Sequence, residues 1–300
     1  MKAGYAAIIG LPNAGKSTIL NAMLGQKISI TNNKPQTTRK RVLGILSGED
    51  FQIVFLDTPG ILQPHYMLQE KMMEYVDMSV RDADVIILMI DMQEDPTGEK
   101  FFNQIFVKEL MERNNNPKIL VMNKIDKSNE KQIKDFVAFY EKDTRINKLI
   151  PVAALLKANV NEVAEQIKEY LPENPKFYPE DNVSNETERF FVSEIIREKI
   201  FELYKDEIPY SAEVLIADFT EKEERKDLIR AEIVVERESQ KGIIIGKKGA
   251  AIKRLGETAR FDIEKFLDRP VFLDLRVKVR TKWRSDENML KSFGYNRDKE

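Results

Sequence analysis

Residues 10 to 17 read Gly-Leu-Pro-Asn-Ala-Gly-Lys-Ser, a G-x-x-x-x-G-K-S run placed directly after the apolar stretch Tyr5-Ala-Ala-Ile-Ile9. A strand leading into such a loop and then into a helix aims successive backbone N–H groups at one point, beside the positive end of the helix dipole. That arrangement is a seat for a polyphosphate. Lys16 is placed to meet the outer phosphates and Ser17 to give its hydroxyl to a Mg²⁺ ion, while Gly10, Asn13, Ala14, Gly15 and Thr18 complete the lining of the loop.

Two further motifs follow in order. Asp57-Thr-Pro-Gly60 closes the run Phe51-Gln-Ile-Val-Phe-Leu56 and puts a carboxylate at the carboxyl end of a strand, where ligands of open α/β sheets collect. Asp57 is the candidate to hold Mg²⁺ through water, and Gly60 to meet the terminal phosphate. Asn123-Lys-Ile-Asp126 closes Lys118-Ile-Leu-Val-Met122. The Asp126 carboxylate only accepts hydrogen bonds, so it matches the adjacent donors of guanine and opposes the acceptor of adenine. GTP and GDP are therefore expected over ATP. Between these motifs lies the polar segment Thr31-Asn-Asn-Lys-Pro-Gln-Thr-Thr-Arg-Lys-Arg41, a candidate switch loop in which Thr38 is the residue to reach Mg²⁺ and the γ-phosphate. Taken singly, the second motif reads more readily as a strand-ending turn and the third as a helix cap. Their order behind a phosphate loop is what favours a GTP-hydrolysing reading, with Lys16, Thr38 and Gly60 as the catalytic set.

These residues need a scaffold, and the rest of the chain describes one. From residue 5 to about 171, strand-like runs near 5–9, 41–47, 51–57, 85–90, 118–122 and 148–152 alternate with helical stretches near 16–24, 67–81, 98–113, 129–142 and 159–170. This alternation predicts a mostly parallel, doubly wound α/β sheet with one antiparallel edge hairpin at 41–57. Residues 1–171 thus form one domain, 172–185 a semi-rigid linker rich in proline, and 186–300 a second, α+β domain. Three hundred residues with 42% hydrophobic content are enough for two cores. There is no cysteine, which fits a reducing cytosol, and no apolar run long enough to span a bilayer. His65 and the methionines Met67, Met72, Met73 and Met78 read as a solvated loop residue and as helix packing. Trp283 reads as either a core residue or a base-stacking one.

The second domain runs α-β-β-α-α-β, and Gly246-Lys-Lys-Gly249 falls between its last two helices. Two glycines allow close backbone approach to a sugar-phosphate strand, and Lys247 and Lys248 add charge there, with Lys253 one turn on. Residues 241 to 284 hold 13 Lys and Arg against 5 Asp and Glu, a net of +8, in a chain whose total is −2. A basic segment inside an acidic protein is an electrostatic footprint of nucleic acid. A single extruded loop suits single-stranded RNA.

With all five motifs in this order, from Gly10-Leu-Pro-Asn-Ala-Gly-Lys-Ser17 and Gln36-Thr-Thr-Arg39 to Gly246-Lys-Lys-Gly249, the chain resembles the Era family of bacterial GTPases along essentially its whole length. Lys282-Trp-Arg-Ser285 and Phe293-Gly-Tyr295 resemble that family's C-terminal tail. The resemblance implies a P-loop GTPase domain followed by a KH type II domain, slow GTP hydrolysis, and recognition of the 3′ end of small-subunit ribosomal RNA in small ribosomal subunit assembly. It implies a cytoplasmic monomer able to associate peripherally with the inner membrane. Two departures stand out. The family's Ser-Ala pair is Ala153-Ala154 here, which keeps the Ala154 N–H for guanine but loses a loop-stabilising hydroxyl. Ile61 stands where many GTPases have a water-orienting glutamine. In related GTPases an asparagine at the Asn13 position helps bind K⁺, an additional candidate cofactor.

Overall fold

The computed structural model describes residues 1–221 and 225–295. They divide into two compact units, Met1–Gln63 with Met72–Asn185, and Pro64–Lys71 with the chain from Glu186 onward. No helix among the described residues is long and apolar enough to cross a membrane.

The first unit contains β1 (Lys2–Gly10), α1 (Lys16–Leu24), β2 (Val42–Ser47), β3 (Phe51–Asp57), α2 (Met67–Asp82, whose first turn falls in the second unit), β4 (Val85–Asp91), α3 (Glu99–Phe102), α4 (Ile105–Arg113), β5 (Lys118–Asn123), α5 (Glu130–Tyr140), β6 (Lys148–Val152) and α6 (Val160–Tyr170). The sheet order is β2-β3-β1-β4-β5-β6. Every pairing is parallel except β2 with β3. Strands β4 and β5 are buried at every residue, as the unbroken runs Val85-Ile-Ile-Leu-Met-Ile90 and Ile119-Leu-Val-Met122 require when helices cover both faces. The chain leaves β1 toward β3 on one side and β4 on the other, so the carboxyl end of β1 is the switch point of the sheet, and the phosphate loop sits there.

The single helix expected over 98–113 is two. Gln104 is extended between α3 and α4. The Asp95 carboxylate accepts from the N–H groups of Lys100 and Phe101 at 3.1 and 2.9 Å and so fixes the start of α3. Phe101 is then buried, as are Val107, Leu110 and Met111 from α4; the break turns both sets inward. The proline-rich segment is also less free than its composition suggests. Gln52 Oε1 accepts from Phe177 and Tyr178 at 2.7 and 3.0 Å. The Ile45 N–H donates to Val183 O at 2.9 Å and the Ser184 hydroxyl to Leu43 O at 2.7 Å. The edge strand β2 is covered by this segment, which blocks it as a template for stray pairing.

The second unit contains α7 (Glu188–Leu203), α8 (Ile208–Ser211), β7 (Glu213–Thr220), β8 (Asp227–Val235), α9 (Glu238–Ile245), α10 (Ala250–Leu267), β9 (Val271–Val279) and α11 (Glu287–Ser292). Strand β8 pairs antiparallel with β7 and parallel with β9, and a parallel return of this kind demands a helical crossover, here α9 and α10. Alternate residues of β8, Ile229, Ala231, Ile233 and Val235, bury against Leu255, Ala259 and Ile263 of α10 and Val192, Ile196 and Ile200 of α7. Trp283 belongs to the interior: it is fully buried and its Nε1 donates to Ser211 O at 3.0 Å. Tyr295 is buried too, its hydroxyl 2.6 Å from Glu213.

Candidate nucleotide and RNA sites

The phosphate loop owes its shape to residues that tolerate unusual backbone. Gly15 has φ +97, and a Cβ there would lie 2.2 Å from Asn123 Nδ2. A Cβ on Gly10 would lie 2.7 Å from the Met89 carbonyl. Asn13 also has positive φ, and its amide donates to Asn33 O at 2.8 Å, which joins the phosphate loop to the candidate switch loop. Lys16 is buried and folds back over the loop, donating to Gly10 O and Leu11 O at 3.1 and 3.0 Å. Burial lowers its pKa to about 8, with Asp57 acting in the other direction. A bound polyphosphate supplies the counter-charge that this ammonium lacks.

Asp57-Thr-Pro-Gly60 lies against that loop. The Ile61 N–H donates to Gly10 O at 3.0 Å, and a Cβ on Gly60 would lie 2.6 Å from Pro12 N. Ser17 Oγ is 2.7 Å from Asp57 Oδ2 and 2.9 Å from Thr38 Oγ1. Three oxygens from three separate motifs thus meet at one point. Asp57 is fully buried and its Oδ1 has no hydrogen-bond partner; burial raises its pKa, while the Ser17 hydroxyl and the Lys16 ammonium pull it down. A hard cation with water and phosphate oxygens in its shell fits these donors. The Ile61 side chain is turned into the core, 3% exposed, and His65 is exposed to solvent. Of the helix methionines, Met72 is buried and Met73 packs against the core.

The base side is organised by Asn123. Its Nδ2 donates to Ala14 O at 2.8 Å and its Oδ1 accepts from the Ala154 N–H at 3.0 Å, so one side chain ties the phosphate loop to the last loop of the site. Asp126 is exposed in the middle of a 3-10 turn, Ile125–Lys127, whose preceding residue, Lys124, has φ +63 and pairs with Asp91. Ala153 and Ala158 form an isolated antiparallel bridge, with N–H to O distances of 3.2 and 3.1 Å in the two directions. Backbone pairing therefore steadies the loop where a hydroxyl is missing. A cavity of about 600 Å³ runs from Lys16, Ser17, Thr18, Thr38 and Gly60 to Asn123, Asp126 and Ala154, within the range of nucleotide-sized sites. Sequence reasoning missed Asp91, which lines this cavity and holds Lys124, and Asn21, whose side chain bonds the backbone of Ile28 and Ser29 just beyond α1. None belongs to a spaced motif; only the fold brings them there.

In the second unit, α9 ends at Gly246, which has φ +71 and ψ 176, a conformation open essentially to glycine alone. A Cβ there would lie 2.6 Å from the Ala251 Cβ. Lys248 and Gly249 also have positive φ, but a Cβ on Gly249 meets nothing within 4 Å. Lys247 and Lys248 project exposed from this turn, and Lys253 is exposed one turn into α10, 4.0 Å from Glu257. A cavity of about 370 Å³ beside the turn is lined by Leu203, Tyr204, Lys247, Ala250, Ala251 and Arg254. Ile244 is fully buried, Ile243 is 51% exposed, and the Tyr204 hydroxyl donates to Ile244 O at 2.9 Å. Tyr204 thus anchors the turn to α7.

Residues 5–124 match the family described as 50S ribosome-binding GTPase, and residues 207–284 match the KH domain. GTPase Era of Clostridium kluyveri is 42% identical over 98% of this chain and 99% of its own. The chain belongs to the Era family of GTPases. A chloroplastic Era-like GTPase of Arabidopsis thaliana is 43% identical over 98% of this chain and 69% of that protein. Among solved structures, a variant of Aquifex aeolicus Era bound to GDP and AlF4⁻ superposes with a TM-score of 0.92, at 41% identity, over 99% of this chain and 100% of that one. Era in complex with MgGDPNP and nucleotides 1506–1542 of 16S ribosomal RNA gives the same TM-score at 40% identity and the same coverage. The fold is therefore a P-loop GTPase sheet with a KH domain, and the protein is a GTPase.

Proposed function

We propose that this GTPase binds GTP with Mg²⁺, hydrolyses it slowly, and uses the nucleotide state to govern binding of the 3′ end region of small-subunit ribosomal RNA during small-subunit assembly. The observation that carries the proposal is that the Ser17 hydroxyl lies 2.7 Å from the Asp57 carboxylate and 2.9 Å from the Thr38 hydroxyl, which brings oxygens of three separate motifs to one point. Ser17 and Thr38 would bind the ion directly and Asp57 through water; Lys16 and the loop N–H groups would hold the phosphates. Gly246 to Gly249 and Lys253 would hold the RNA backbone. The relative solved with a 16S ribosomal RNA segment, alike over the full chain, supports that assignment.

Slow turnover follows from Ile61: a buried aliphatic side chain cannot orient water, so the rate belongs near unassisted switches, about 10⁻⁴ to 10⁻² per second. Asn13, bonded to the Asn33 carbonyl, supports a K⁺ site beside the phosphates, and replacing K⁺ by Na⁺ then slows hydrolysis; equal rates remove that role. The same buried Ile61 also favours a second reading, in which nucleotide is a structural ligand of an RNA-binding assembly module. Measuring RNA affinity with GDP and with a non-hydrolysable GTP analogue separates the two. A switch gives different affinities; a module gives one.

A further inference from the structure

We infer that Asp91 is a positioning residue for base recognition: through its ion pair with Lys124 it fixes the backbone that aims Asp126. The inference rests on the proposed nucleotide site, in which Asn123-Lys-Ile-Asp126 reads the base. Asp126 is exposed, and its carboxylate has no hydrogen bond or ion pair among the described residues. Its aim is therefore set by the backbone of its own turn. That turn, Ile125–Lys127, is closed by the Lys127 N–H donating to Lys124 O at 2.9 Å and the Ser128 N–H donating to Ile125 O at 3.1 Å. The chain enters it through Lys124 at φ +63. A lysine in the left-handed region is strained, and such a conformation persists only where the surroundings hold it.

Asp91 supplies that hold. Strand pairing places Asp91, the last residue of β4, opposite Asn123 of β5, and the Met92 N–H donates to Asn123 O at 2.9 Å. The Asp91 carboxylate is then divided between two tasks. Oδ1 accepts from the N–H groups of Gln93 and Glu94 at 3.0 and 3.3 Å, while Oδ2 accepts from the Lys124 ammonium at 2.5 Å. One oxygen fixes the loop after β4, and the other reaches across to the base-reading loop. Asp91 is buried, and it is the one ion-pair partner of Lys124 among the described residues. Both side chains line the cavity that holds Asn123, Asp126 and Ala154. A turn held in its working geometry before the ligand arrives loses less freedom on binding, which is how a residue that need not touch the base contributes to affinity.

The two tasks separate by substitution. Asp91→Asn keeps an oxygen for the Gln93 and Glu94 N–H groups but gives up the charge that holds Lys124, whereas Asp91→Glu keeps the charge and disturbs the short loop contacts. Asp91→Asn also makes the site more positive beside an anionic ligand, so a fall in affinity cannot come from net charge. The experiment measures GDP affinity by calorimetry for the full-length protein, Asp91→Asn, Asp91→Glu, Lys124→Ala and the double variant of Asp91→Asn with Lys124→Ala, with circular dichroism as the folding check. Asp91→Asn is expected to weaken GDP binding about 10-fold, the loss of one charged hydrogen bond, and Asp91→Glu to weaken it less. Once Lys124 is Ala, Asp91→Asn should cost less than about twofold more, because the two residues act as a unit. The inference is overturned by an Asp91→Asn affinity within about twofold of wild type, by Asp91→Glu binding more weakly than Asp91→Asn, or by a further loss of about twofold or more in the double variant. Failure of Asp91→Asn to fold also overturns it, since Asp91 then serves stability alone. Asp126→Asn, run beside these, separates the two levels: if it binds guanine nucleotides as wild type does, the base-site reading fails and takes this inference with it, whereas if it weakens them and Asp91→Asn does not, this inference alone fails.

Discussion

At the scale of single residues, the site separates groups that bond a ligand from groups that leave room for it. Asp126 is of the first kind: exposed and accepting only, it suits a base with two adjacent donors. Asp126→Asn should weaken GTP binding about 10- to 100-fold, the value of a charge-assisted hydrogen bond pair, and favour xanthine over guanine nucleotides in a competition assay. Gly15 is of the second kind. Its φ of +97 and the 2.2 Å approach of Asn123 to a would-be Cβ leave no place for a side chain. Gly15→Ala should lower GDP affinity at least about 10-fold by the cost of a strained backbone alone, measured by calorimetry, with the unmodified second unit serving as the folding control. Asp57 shows what spacing conveys and what it conceals. Its position at the end of a strand announces a cation site, whereas Asp91, which holds Lys124, belongs to no repeat or motif, since that pairing exists only after β4 and β5 lie side by side.

Among the elements, the turn between α9 and α10 makes the sharpest experiment because its two glycines differ. Gly246 packs against Ala251 in a glycine-only conformation, so substitution there distorts the turn itself. Gly249 faces open space in the left-handed region, where aspartate is tolerated at modest cost. Gly249→Asp should therefore keep the fold and thermal midpoint of the protein while abolishing RNA binding, since it sets a negative charge where a phosphate must approach. Normal RNA binding by the folded variant makes this turn a mere connection between helices. The sheet and most helices were legible because fully buried parallel strands leave unbroken apolar runs, as at 85–90. The break at Gln104 was not, because Phe101, Phe102, Ile105 and Phe106 recur at the three- and four-residue spacing of one continuous helix, while the Asp95 carboxylate that starts α3 lies outside that pattern. The segment at 172–185 misled for a related reason: prolines signal stiffness, but the hydrogen bonds from Gln52 and Ile45 that pin it come from distant residues.

For the molecule as a whole, charge is segregated along the chain, with one basic segment set inside an otherwise acidic sequence. Residues 241 to 284 carry a net of +8 within a chain of net −2, and the acidic remainder repels RNA, so phosphate attraction is confined to the face that carries the Gly246–Gly249 turn. Lys247 and Lys248 are exposed there and show no ion pair among the described residues, which leaves both free to replace counterions on a strand. Replacing the two together by Ala should lower RNA affinity for all sequences alike and reduce the slope of log K against log salt by up to about 1.4, at about 0.7 for each phosphate no longer neutralised. Base preference should survive, because groups on the phosphates position a strand while the bases are read in the groove. The measurement is affinity for a single-stranded RNA matching the small-subunit ribosomal RNA 3′ end, over a salt series, beside a scrambled strand of equal length. GTP hydrolysis without RNA should match wild type, since neither lysine touches the nucleotide cavity. If the salt slope is unchanged while the protein stays folded, these lysines do not meet the backbone, and the basic character of this segment is only a solvated surface.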